Sequence, residues 1–314
     1  MIPDKKFPIA SIANLLLIVL TLSTLLGLLK ASFALAAGLM WGWFFAGSHQ
    51  LPLSSWGSLL LKAAIILLGL TLPIQEIIIT AQNSFFLTLG MISFTLSLGL
   101  LASRILKIDH QQAWLISSGT AICGGSAIAA VGTSIKASHT NMVTSLAIIF
   151  ILNALALFIF PSVGHLFEMT QEQFGLWAAL AIHDTSSVVG AAVDYGSQAL
   201  DTATTAKLAR ALWIVPVALL AAMLGNTNKY KLSIPLFIIF FIISSMLSSF
   251  IDHELASNYI KPMAKNIFAL SLLWIGSSLN QAAIKSIPLR SFMLGMGLWF
   301  IISIVSLFII IQWY

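Results

Sequence analysis

The sequence predicts an all-α polytopic membrane protein, and three observations carry that prediction. Of its 314 residues, 59% are hydrophobic and only 8% are charged. Soluble domains carry about 25% charged residues, and a soluble core of this size could not absorb so much apolar surface. The apolar residues fall in runs of about 20, the length that crosses a bilayer as a helix. Finally, the few ionisable residues inside these runs cluster together, above all in A-I-H-D-T-S-S-V-V-G-A-A at Ala181–Ala192 and T-A-K-L-A-R at Thr205–Arg210.

About eleven spans follow from the length rule. The first, 9–29, comes after Lys5 and Lys6. It is longer than the apolar core of a cleaved signal peptide, so a first transmembrane helix is expected. The second, 31–46, is rich in Gly and Trp, and a loop with His49 and Pro52 follows. The third, 57–79, is interrupted by G-L-T-L-P at Gly69–Pro73, and the fourth, 84–104, ends at Arg104 and Lys107. The fifth, 113–135, carries T-A-I-C-G-G-S-A at its centre, and the sixth, 141–160, is stopped by Pro161. The seventh, 174–193, holds the His-Asp stretch, and Lys207 and Arg210 open the eighth, 205–224. The ninth is 233–251, and the tenth, 264–281, has I-G-S-S-L-N near its end. The eleventh, 291–313, ends at Trp313 and Tyr314, an aromatic anchor of the kind found at membrane interfaces.

Charge sets the expected orientation. With the N-terminus inside, the cytoplasmic side receives Lys5, Lys6, Arg104, Lys107, Lys229, Lys231, Lys285 and Arg290. The other side receives Lys30, Lys136, Lys261 and Lys265, with Lys207 and Arg210 added if those two count as loop. Positive loops stay inside, so the N-terminus is expected in the cytoplasm and the C-terminus outside. The formal charge of +5 is spread over segment ends without a basic stripe, which argues against nucleic acid as a partner. One cysteine, Cys123, excludes an intramolecular disulfide and a multi-thiolate zinc site. Neither a paired-histidine metal motif nor a nucleotide loop occurs, so no cofactor is expected. Short loops and the lack of a targeting segment point to a bacterial inner membrane.

Three spans have polar centres. The fifth holds Gly119, Thr120, Gly124, Gly125 and Ser126; the seventh holds Asp184, Thr185, Ser186 and Ser187; the tenth holds Gly276, Ser277, Ser278 and Asn280. Irregular backbone at bilayer depth survives only when buried in protein or facing a cavity. Half-helix N-termini there offer free N–H groups and a positive dipole end to an anion, an arrangement that secondary transporters use near the midplane. The alternative for each Gly/Ser pair is close helix packing through small residues. With 1–30 as an extra first helix, the chain divides into repeats at 31–161 and 172–314 within a single transporter domain. Five spans per repeat invert the topology and match the fifth span, I-C-G-G-S, with the tenth, W-I-G-S-S. Crossed similarities, C-G-G-S-A-I with D-T-S-S-V-V among them, leave open whether the seventh span belongs to the crossing pair.

On L-G-L-T-L in the third span, S-G-T-A-I-C-G-G-S-A-I at Ser118–Ile128, the H-D-T-S-S stretch and T-A-K-L-A-R, the sequence resembles the bacterial YeiH-type inner-membrane proteins, a family designated as sulfate exporters. The resemblance covers nearly the whole chain. It implies sulfate or a related anion as solute. It also implies a fold similar to the sodium–proton antiporters and bile-acid symporters, with two crossing discontinuous helices. The symporters mark one crossing helix with C-P-G-G; here Cys123-Gly124-Gly125-Ser126 lacks the proline.

The expected function is secondary transport of a small anion. Thr120, Cys123, Gly124, Gly125, Ser126, Thr185, Ser186, Ser187, Gly276, Ser277, Ser278 and Asn280 are the candidate anion ligands. Lys207 and Arg210, sharing a helix face at i and i+3, would either balance the anion or offset Asp184 and Asp194. His183 or Asp184 would couple transport to a proton or a sodium ion. If the seventh span were one continuous helix, His183, Ser187, Gly190 and Asp194 would share a face. A packing role for His183 and a helix-end role for Lys207 and Arg210 are the plain alternatives. A cation–proton exchanger and a passive channel are the other transport readings, and transporters of this type often form homodimers. An intramembrane hydrolase is disfavoured, because His183, Asp184 and Ser186 are too close in sequence to build a triad among themselves; the protein is expected not to be an enzyme.

Overall fold

The structure, a computed structural model, describes residues 7–45, 52–224, 236–278 and 287–314, and every regular element among them is helical. The helices are α1 (Phe7–Leu25), α2 (Ala31–Phe45), α3 (Leu53–Gly69), α4 (Ile74–Asn83), α5 (Phe85–Ile105), α6 (His110–Ala121), α7 (Gly125–Ser134) and α8 (His139–Leu166). After these come α9 (Gln171–Ala181), α10 (Thr185–Tyr195), α11 (Ser197–Ala211), α12 (Ile214–Leu224), α13 (Leu236–Leu247), the short α14 (His253–Leu255), α15 (Lys261–Ser277) and α16 (Leu289–Trp313). Four stretches among the described residues are long and apolar enough to cross a membrane: α5, α8, the α11–α12 run Ser197–Ala221, and α16. The broken pair α3 and α4 makes a fifth when counted as one span.

The chain divides into two compact units: Met1–Pro73 with Ile239–Lys285, and Ile74–Ile238 with Ser286–Tyr314. These boundaries cut across the sequence halves 31–161 and 172–314, because a late segment joins the first unit.

In the first unit α15 packs between α2 and α3. Small residues make this approach close. A methyl group on Gly38 would lie 2.2 Å from the Leu273 carbonyl oxygen, and one on Gly57 would lie 3.0 Å from that of Ser271. Indole donors tie α1 to its neighbours, with Trp41 Nε1 donating to the Ala13 carbonyl at 2.8 Å and Trp274 Nε1 to Thr21 Oγ1 at 3.1 Å. The expected break at Gly69–Pro73 is present. Ser245 donates its hydroxyl to the Leu72 carbonyl there, so a backbone acceptor freed by the break is satisfied inside the protein.

The second unit contains α4 to α12 and α16. Here α6 packs on α5, α7 and α8, while α9 lies against α11 and α16. Phe160 and Trp177 stack at 4.2 Å between ring centres, and Trp177 Nε1 donates to the Ser303 carbonyl at 3.0 Å. Contact between α9 and α11 is close enough that a methyl on Gly175 would meet the Ala199 carbonyl oxygen at 2.7 Å.

Three sequence expectations are corrected. Pro161 does not stop the sixth span; α8 runs through it to Leu166. A membrane helix tolerates proline because its neighbours satisfy the carbonyl that proline leaves without a donor. Lys207 and Arg210 do not open the eighth span, because α11 begins at Ser197 and places both well inside it. The seventh span is not continuous. It stops at Ala181 and restarts at Thr185, so His183 lies in the break and does not share a helix face with Ser187, Gly190 and Asp194, which remain together on α10.

Candidate functional site

The fifth and seventh spans are both broken, and the breaks meet. In the fifth span α6 ends at Ala121 and α7 starts at Gly125. The turn depends on Gly124, whose φ of +61° and ψ of −118° lie where a side chain is strained. In the seventh span the chain is extended at Ile182 and Asp184 between α9 and α10. A methyl group on Gly124 would lie 3.3 Å from Asp184 Cβ and 3.4 Å from its Cα, so the two breaks are in contact.

Each break exposes one C-terminal and one N-terminal helix end, and each end leaves backbone groups without intrahelical partners. The C-terminal ends are satisfied by the two buried cations of α11. Lys207 Nζ donates to the Ile182 carbonyl at 2.8 Å and to that of Ala179 at 3.2 Å. Arg210 donates Nη1 to the carbonyls of Ala179, at 3.1 Å, and Leu180, and Nε to that of Ala121 at 2.7 Å. Thus one guanidinium holds the ends of both α6 and α9. Positive charge at a helix C-terminus is favourable, which accounts for two cations surviving at 0% and 1% exposure. The hydrogen bonds that hold Lys207 and Arg210 go to these main-chain carbonyl oxygens.

The N-terminal ends differ from each other. Asp184 caps α10, its carboxylate accepting from the Ser186 N–H at 3.2 Å. No side chain caps α7, whose first residues are Gly125 and Ser126. Gly125, Ser126 and Asp184 are half-buried, whereas Thr120, Cys123, Gly124, Thr185, Ser186 and Ser187 are buried. The break therefore has a closed cationic side and a partly open side lined by helix N-termini.

His183 lies at the seventh-span break and is fully buried. Its backbone N–H donates to Asn153 Oδ1 at 3.1 Å, and neither ring nitrogen has a hydrogen-bond partner. Thr120 Oγ1, Asn153 Nδ2 and Arg210 Nη2 are likewise buried without partners. Leaving a buried donor or acceptor unpaired costs about 1–3 kcal/mol, so a ligand or a proton that reaches such a group gains free energy by arriving. Among the described residues, no group of three or more His, Cys, Asp or Glu side chains could hold a metal ion.

The tenth-span candidates lie in the first unit. Gly276 packs against α2, where a methyl group would meet the Leu35 carbonyl oxygen at 3.0 Å. Ser277 and Ser278 return their hydroxyls to the carbonyls of Leu273 and Ile275 in their own helix. Asn280 lies outside the described residues. The second unit brings together the candidates of the fifth, seventh and eighth spans. Sequence reasoning missed Asn153, although an amide in the middle of the long apolar run that forms α8 was a readable signal.

Apolar helices of membrane-crossing length, with two pairs of shorter helices that break at contacting polar turns beside them, define the class: an all-helical membrane protein with a polar centre. The chain belongs to the family described as Conserved hypothetical protein 698, whose model matches residues 7–295, and its relatives are named UPF0324 membrane proteins. It is 46% identical to one from Vibrio vulnificus over 82% of this chain and 85% of the relative. It is 42% identical to one from Photobacterium profundum, over 93% and 90%. A third, from Porphyromonas gingivalis, is 40% identical over 97% of both chains. No solved structure matches.

Proposed function

We propose that this protein is a secondary transporter for a small anion, sulfate or a related sulfur or carboxylate anion, in a bacterial inner membrane. The observation that carries the reading is the asymmetry of the paired breaks. Lys207 and Arg210 consume the C-terminal carbonyls, which leaves the uncapped N-terminal end of α7 as the free pole, beside the α10 end that Asp184 caps. Helix N-termini attract anions through free N–H groups and the helix dipole. Ser126 at the uncapped start of α7, with Thr185, Ser186 and Ser187 at the start of α10, are the ligands in this reading. Asp184, between them, is the coupling group: a carboxylate beside the anion repels it until a proton is taken up. His183 stands next to it with a ring that has no partner. The eleven-span arrangement of five plus five, the likeness to sodium–proton antiporters, a cytoplasmic N-terminus and a homodimer belong to this reading.

Asp184 also favours a second reading, a cation–proton exchanger, in which a sodium ion takes the place of the anion beside the carboxylate. One experiment separates the two. Purified protein is reconstituted in liposomes, and flux of labelled sulfate, an alkyl sulfonate, a carboxylate and sodium is followed under an imposed pH gradient. Sulfate movement that responds to the gradient supports the anion reading. Sodium movement without movement of sulfate, an alkyl sulfonate or a carboxylate transfers the case to the exchanger, and movement of none of these ions overturns both.

A further inference from the structure

A cavity of about 280 Å³ lies in the second unit where the α4–α5 corner faces the junction of α11 and α12. Ala81, Phe85, Leu212, Trp213 and Pro216 make most of its lining, with the rings of Phe85 and Trp213 in contact at 5.6 Å. Three lining residues are polar: Ser84, Thr88 and Arg210. Ser84 spends its hydroxyl proton on the Thr80 carbonyl, at 2.7 Å. Arg210 is the charged residue of the lining. Its Nε and Nη1 are committed to the carbonyls of the two breaks, and Nη2 is buried without a partner.

We infer that this cavity is a binding site for an organic monoanion with a short apolar body, an alkyl sulfonate or carboxylate, held with its head at Arg210. Two features select that chemistry. The positive charge is single and partly used, so it suits a monoanionic head more than a fully hydrated dianion. The walls are apolar, and an inorganic oxyanion would give up its water there without replacement, while an alkyl chain gains by leaving water. Because Arg210 also ties α6 to α9, a ligand here sits one side chain away from the broken helices. The inference deepens the anion-transport reading, since it names the kind of anion, and rests on that reading for the ligand's onward passage.

The test is calorimetric titration of the protein in lipid nanodiscs with methane-, propane- and pentanesulfonate and with sulfate, against empty nanodiscs. Affinity is expected to rise about threefold to fourfold per added methylene until the cavity is full, the worth of one buried CH₂ group. Ala81→Trp, which fills the cavity, should abolish the chain-length dependence. Phe85→Ala, which enlarges it, should shift the preferred chain to a longer one. Affinity independent of chain length, or a dependence that neither variant alters, overturns the inference. So does binding of dihexanoyl phosphatidylglycerol with no binding of any sulfonate, which would make the cavity a lipid site. Failures of the two readings are distinguishable. Chain-length-dependent binding without flux of any anion in liposomes keeps the cavity and removes the transporter, and sulfate flux without such binding does the reverse.

Discussion

Arg210 and Ala121 lie 89 positions apart, yet the Arg210 Nε–H donates to the Ala121 carbonyl at 2.7 Å inside the protein. The same guanidinium also holds α9 through Ala179 and Leu180. A single side chain thereby closes the open ends of two broken helices.

Removing it should be costly. Arg210→Ala frees buried carbonyls on both helices, whereas Lys207→Ala frees Ile182 and leaves Ala179 with Arg210. An unpaired buried acceptor costs about 1–3 kcal/mol, so both variants should be destabilised, Arg210→Ala by the larger amount. Thermal unfolding of the purified variants in one detergent measures the order. Equal stability of Arg210→Ala and the parent protein would show that the carbonyls are satisfied some other way.

Gly124 and Gly90 form a matched pair of substitutions. Alanine at Gly124 must adopt a strained conformation and press on Asp184 and Ile149, at a cost of roughly 1–3 kcal/mol. Gly90, inside α5, has nothing within 4 Å of an added methyl, and alanine there should stabilise by about 0.5–1 kcal/mol. Opposite shifts in melting temperature are expected, with anion flux lost only for Gly124→Ala.

Asp184 has a capping role and a proposed coupling role, and two substitutions separate them. Asparagine caps a helix about as well as aspartate but cannot release a proton, so Asp184→Asn should fold normally and lose the pH dependence of flux. Asp184→Ala should lose stability as well, by about 1 kcal/mol. If Asp184→Asn keeps its pH dependence, the coupling group lies elsewhere, and His183 is the next to substitute.

Asn153 holds the backbone of His183. Asn153→Leu fits an apolar helix but leaves the His183 N–H without its acceptor. Its unfolding temperature should fall, and amide hydrogen exchange at 182–184 should speed up relative to the rest of the second unit.

Much of this was legible in advance. The Gly124-Gly125 pair and the Gly69–Pro73 interruption announced breaks, since glycine and proline weaken a helix wherever they occur. Lys207 and Arg210 stood out because ionisable groups inside apolar runs are expensive. Their partners were not legible. Carboxylates or an anion were the obvious choices, and the hydrogen bonds to main-chain carbonyls, left open only because two helices stop at that point, were not foreseen. Pro161 misled for the converse reason: a proline stops a helix in water more readily than among packed neighbours.

The sequence by itself determined that this is a helical membrane protein, where its polar centres lie, and which side chains are too costly to bury without a purpose. Composition and spacing are properties of each segment alone, and the cost of burying charge needs no knowledge of neighbours. Only the tertiary structure decided that the fifth and seventh spans meet at Gly124 and Asp184, that one α11 arginine closes both, and that the α7 end remains uncapped. Those facts depend on which distant segments share a space, and hydropathy carries no information about that.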